Sequence, residues 1–147
     1  MTAWIIAWWL SLATISCYIG YLDLRYRKIP NTLSLIVFLI SVVISLHIKN
    51  GGNIMYVAMI FLVGFVLFLF NIIAAGDIKL LCSFFVAISP TYSPMVLFVI
   101  TFLGGIMGCI QLIWLKANKK NLKESSGVPY GIPICIGCLL GIAASII

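Results

Sequence analysis

Three stretches of this chain, Thr32–Ile48, Ile54–Ile73 and Met95–Leu115, run for 17 to 21 residues without one Asp, Glu, Lys or Arg. A hydrocarbon core of about 30 Å takes roughly 20 apolar residues per helix, so stretches of this length are membrane spans rather than the buried faces of a soluble domain. Inside lipid the backbone must satisfy its own hydrogen bonds, and a helix does so within one segment. With 64% hydrophobic and 8% charged residues over 147 positions, the fold class is all-α: a polytopic membrane protein of about six helices. One membrane-embedded domain over residues 1–147 is expected, with no separate soluble domain.

The expected spans are Trp4–Leu22, Thr32–Ile48, Ile54–Ile73, Ile78–Ile88, Met95–Leu115 and Val128–Ile147. The fourth, at about 1.5 Å per residue, reaches only about 17 Å, so it is expected to tilt into a thinned region, extend through Pro90 or be re-entrant, admitting water to the site. Lys and Arg in short loops stay on the cytoplasmic side. Arg25, Arg27, Lys28, Lys79, Lys116, Lys119, Lys120 and Lys123 share one face if there are six spans, against Lys49 alone on the other. Both termini are therefore expected outside. The first span lacks a preceding positive charge and a small-residue cleavage pattern, so it reads as a retained helix and not a signal peptide.

Only three acidic side chains remain, Asp23, Asp77 and Glu124. Asp23 and Asp77 each lie where an apolar span meets a basic run, on the same expected face. An ionisable group at that boundary is costly unless paired or hydrated, which makes it a candidate for function. In Asp23-Leu24-Arg25-Tyr26-Arg27-Lys28-Ile29-Pro30-Asn31 the first helix is expected to stop near Asp23, with Asn31 or Thr32 capping the second. In Ala74-Ala75-Gly76-Asp77-Ile78-Lys79 the glycine is expected to form a tight turn and Asp77 to cap the fourth helix. Taken singly, each acid is explained by local pairing or capping; two on one face point to a catalytic pair. Glu124, set among lysines, reads as locally paired.

The five cysteines all fall in apolar segments, where cysteine behaves as a small hydrophobe. Cys135 and Cys138 form a Cys-x-x-Cys, but a tetrahedral metal site needs two further ligands, so packing is the reading and no metal or cofactor is expected. Gly104 with Gly108, and Gly137 with Gly141, are small-xxx-small pairs for close helix approach.

Three segments resemble the type IV prepilin peptidases, membrane aspartyl proteases that remove leader peptides from prepilins and pseudopilins. Asp23 through Asn31 resembles the family's Asp-x-Arg segment ending in Ile-Pro-Asn. Gly76-Asp77-Ile78-Lys79-Leu80 resembles the second half of its Gly-x-Gly-Asp motif, with Ala74 in place of the first glycine. Val128-Pro129-Tyr130-Gly131-Ile132-Pro133 resembles its Pro-Tyr-Gly segment. The chain resembles the compact, peptidase-only members, including those of tight-adherence pilus systems, rather than longer members with a zinc-binding cytoplasmic domain.

The resemblance implies Asp23 and Asp77 as catalytic residues, with Gly76, Lys79, Pro30, Asn31 and Tyr130 as motif support or substrate contacts. It implies prepilin or pseudopilin substrates, contact with membrane lipid and with pilus or secretion assembly machinery, no nucleic acid, and a bacterial cytoplasmic membrane with the site at the cytoplasmic face. The basic leader is cut after a glycine, just before a hydrophobic helix. On helix-dipole grounds Asp77 is expected as the anion and Asp23 as the protonated partner. Lys79 is expected to meet an acidic group early in the mature pilin. Two other classes stay open: a non-catalytic pilus-assembly subunit, and an ion-coupled transporter using the acid pair.

Overall fold

The computed structural model describes residues 3–48, 54–70, 72–117 and 128–147. Lys49, Lys119, Lys120, Lys123 and Glu124 lie outside the described residues. Six helices follow in order: α1 Ala3–Tyr26, α2 Asn31–Ile48, α3 Ile54–Leu69, α4 Ala75–Phe85, α5 Ser93–Ala117 and α6 Gly131–Ile146. Every element among the described residues is helical, and α1, α2 and α5 are each long and apolar enough to cross a bilayer. The protein is an all-α, multi-pass membrane protein. Its outward faces carry large apolar side chains such as Trp4, Leu46, Met55 and Phe98, as lipid contact demands.

The helix α6 runs opposite to both α1 and α5, as paired contacts show at both ends of the bundle. On α1 and α6, the Trp9 indole N–H donates to the Leu139 carbonyl at 3.1 Å, and the Gly131 N–H donates to Asp23 at 2.8 Å. On α5 and α6, Gly137 faces Ile100 and Gly141 faces Val96, so close that a Cβ at either glycine would collide. This pair works as a small-xxx-small contact. Gly104 instead receives the Tyr130 ring, and a Cβ at Gly108 would meet only Val128 at 3.9 Å.

The short fourth helix is the centre of the bundle. It packs against α2, α3 and α6, and Leu80, Phe84, Phe85, Ala87 and Ile88 are fully buried. Close packing on its neighbours surrounds this short helix. It closes in tight turns, with Ala87 N–H donating to the Phe84 carbonyl at 3.0 Å and Ile88 N–H to Phe85 at 3.3 Å.

Two helix ends differ from the sequence reading. The first helix runs on through Asp23 to Tyr26 and is closed by Arg27, whose N–H donates to the Asp23 carbonyl at 3.0 Å with a left-handed φ of 54°. Arg25 on this extra turn is exposed and lies over the Tyr21 and Tyr26 rings, whereas Arg27 is half-buried and acts on Asp23. The second helix begins at Asn31 itself: the Pro30 carbonyl accepts from Leu33 and Ser34, and Asn31 leaves its side chain free for another partner. At its own end α3 stops at Leu69, short of Ile73, leaving a connection that leads into α4.

Candidate active site

The C-terminal end of α1 and the N-terminal ends of α4 and α6 meet at one end of the bundle. Asp23 comes from the last turn of α1, Asp77 from the first turn of α4, and Gly131 opens α6. Both carboxylates are buried, Asp23 at 6% exposure and Asp77 at 8%. They interact electrostatically, so the fold brings together two acids separated in the chain by two helices, α2 and α3.

Asp23 is held from three sides. Its Oδ2 accepts the Gly131 N–H at 2.8 Å, which is the first N–H of α6. That bond places the carboxylate at the positive end of a helix dipole. The Arg27 guanidinium adds a cation that favours the charged form of Asp23. Gly131 is also a spatial requirement, because a Cβ there would lie 2.8 Å from Asp23 Oδ2 and 3.1 Å from its Cγ. In the sequence Gly131 stands out only as part of the Val128–Pro133 segment, and Arg27 only as one cation of the basic run after Asp23.

Asp77 is not the cap of α4. Ala74 holds that position, with φ −76° and ψ 145°, and Asp77 lies three residues on, its N–H donating to the Ala74 carbonyl at 3.1 Å. Its carboxylate reaches back toward the Ala74 backbone amide, as an acid three residues inside a helix start commonly does. Ala74 sits in an extended conformation open to any residue, so alanine replaces the motif glycine here without strain. Gly76 is not a turn residue either. It lies within the first turn of α4, and a Cβ there would meet Ile29 Cβ at an ordinary 3.7 Å.

Lys79 and Asn31 are tied together, the ammonium donating to Asn31 Oδ1 at 3.3 Å and joining the starts of α4 and α2. Lys79 thus has an intramolecular partner. Pro30 is exposed and supplies the carbonyl that starts α2. Tyr130 caps α6, packs its ring on Gly104 and lines a cavity of about 510 Å³ that also includes Asp77. Cys135 and Cys138 are buried along α6 and pack in the core.

Fold and geometry define a class first: a multi-pass helical membrane protein with two interacting carboxylates buried at one end of its bundle. Its sequence matches the profile of the type IV leader peptidase family over residues 5–109, and the chain belongs to that family. That match includes both aspartates and makes the protein a peptidase with leader-bearing substrates. Comparison with curated proteins and with solved structures finds no match.

Proposed function

We propose that the chain is an aspartic endopeptidase that removes the basic leader from type IV prepilins or prepilin-like proteins, with Asp23 and Asp77 as its catalytic pair. The observation that carries this reading is the burial of two interacting acids, from α1 and α4, in a chain with only three acids in all. Peptide hydrolysis by such a pair needs one carboxylate to take a proton from the attacking water and one carboxyl to donate to the scissile carbonyl oxygen. Like charges this near each other favour sharing a single proton.

The geometry favours a division of roles opposite to the one helix ends alone predict. At Asp23 burial disfavours the anion most, and the α6 N–H and Arg27 offset it; at Asp77 burial and the Asp23 charge both disfavour the anion, against the Ala74 amide. Asp77 stands in the wall of an apolar cavity, where a neutral carboxyl is cheaper. Asp23 is therefore the base and Asp77 the acid in the first step. Asp23 takes the water proton as hydroxide attacks the carbonyl carbon, and Asp77 protonates the oxygen. Collapse of the tetrahedral intermediate returns that proton to Asp77, and Asp23 delivers its own to the departing amine, restoring the starting state.

The basic residues Arg25, Arg27, Lys28, Lys79 and Lys116 flank the end of the bundle that holds the pair, which supports a cytoplasmic site with both termini outside, and family membership supports a bacterial inner membrane. One membrane domain carries the whole activity in this reading. Cleavage of a co-expressed prepilin in membranes tests it: wild type releases the leader, and Asp23→Asn or Asp77→Asn at matched levels does not. Equal cleavage by either variant would remove the pair from the mechanism.

A further inference from the structure

The cavity that includes Asp77 is more than the neighbourhood of a carboxylate. Along α3 it is walled by one stripe of that helix, Tyr56, Met59, Ile60, Val63, Gly64 and Leu67, following the i, i+3, i+4, i+7 spacing of a single helix face. From Leu67, near the acid pair, to Tyr56 this stripe runs about 17 Å. The opposite wall includes Leu97 and Thr101 of α5. Thr101 spends its hydroxyl on the Leu97 and Phe98 carbonyls, so it offers the cavity little polarity. The α3 helix packs chiefly on α4, which leaves the groove between α3 and α5 facing the bilayer.

We propose that this groove is the seat of the substrate's apolar segment, and that it takes one row of side chains from a helix lying against it. The inference rests on the peptidase reading above. The groove opens between α3 and α5, so a helix lying against it inserts the side chains of its facing stripe. Continuity with the reacting pair identifies the occupant: Asp77 belongs to the cavity wall, so whatever fills the groove is presented to that carboxylate. In a peptidase the group presented there is a polypeptide, and an apolar groove facing lipid takes it from within the membrane.

The geometry also sets a register. The cleaved bond lies at the Asp77 end, beside Leu67, and the apolar segment runs along α3 toward Tyr56. Leu67 and Met59 are eight residues apart on one helix face, and a parallel substrate helix with the same rise matches them residue for residue.

Crosslinking tests this without altering the groove's chemistry elsewhere. A photoreactive phenylalanine analogue is placed at Leu67 or at Met59 in an otherwise full Asp77→Asn chain, with the prepilin that wild type cleaves as probe. The expected result is prepilin adducts at both positions, with the attachment point moving about eight residues further from the cut for Met59. Adducts with lipid alone, or prepilin adducts no stronger than from the lipid-facing position Phe98, would overturn the proposal. Thr101→Trp, which fills the groove, is expected to slow cleavage of the same prepilin at least about tenfold while Phe98→Trp, outside the groove, does not. If wild type cleaves, both Asp→Asn variants fail and these arms still come out negative, the aspartyl pair stands and the groove proposal alone falls.

Discussion

Gly131→Ala is the sharpest perturbation of the site available, because it adds one carbon and no charge. The new Cβ would lie 2.8 Å from Asp23 Oδ2 and 3.1 Å from both Asp23 Cβ and Cγ. Ordinary carbon–oxygen contacts begin near about 3.3 Å, so the carboxylate must retreat by about half an ångström. Asp23 is short and its backbone is held within α1, so the retreat comes from rotating the carboxylate off the Gly131 N–H, now bonded at 2.8 Å. A hydrogen bond to a charged group is worth about 1.5–3 kcal/mol, which corresponds to roughly a ten- to hundredfold fall in rate if that bond holds the reacting geometry. The assay is single-turnover cleavage of a prepilin in membranes at matched enzyme levels. Gly20→Ala is the control on the same α1–α6 interface, since its Cβ would meet Ile132 at an ordinary 3.5 Å and the rate is expected to hold. Thermal stability in detergent should change little, because alanine is favoured over glycine in a helix. A Gly131→Ala rate equal to wild type would refute the reasoning.

Arg27→Gln keeps the left-handed helix closure but removes the cation beside Asp23, so cleavage should weaken, and weaken more as pH falls, when a pH–rate profile is compared with wild type. Ala74→Gly and Gly76→Ala should each leave the cleavage rate close to wild type and change stability by no more than about 1 kcal/mol, since neither position needs a glycine conformation or lacks room. Lys79→Ala and Asn31→Ala should each cost no more than about 1 kcal/mol of stability, and the double variant should cost no more than either single one, because they share one exposed bond; additive losses in a denaturation cycle would contradict this. Gly141→Leu should destabilise the bundle by about 1–3 kcal/mol or more by driving α6 away from Val96 on α5, read as a lower unfolding temperature.

The helices were legible because lipid leaves so little choice: continuous apolar runs gave six segments within a few residues of the observed α1 to α6. Their ends were less so. Asp23 looked like a stop because three cations follow it, yet one more turn sets Arg25 at the surface and brings Arg27 back toward Asp23, a solution that depends on where neighbouring helices lie. The shortness of α4 was visible, but its cause was not, since a core helix and a tilted span share one composition. Of the site, Asp23 and Asp77 could be picked out because acids are rare in this chain. Gly131 and Arg27 were visible only as members of a motif segment and of a basic run, because their roles lie in a contact across 108 positions and in one backbone angle. The groove along α3 was hidden for a related reason: its stripe reads as ordinary apolar helix until the gap toward α5 is seen.

The most direct measurement of the central claim is a double-variant cycle on the single-turnover cleavage rate: wild type, Asp23→Asn, Asp77→Asn and both together, in membranes at equal protein levels. Groups that act as one unit are strongly non-additive, so each single variant should be as inactive as the double. Single variants that retain activity, or losses that simply multiply in the double, would contradict a shared-proton pair.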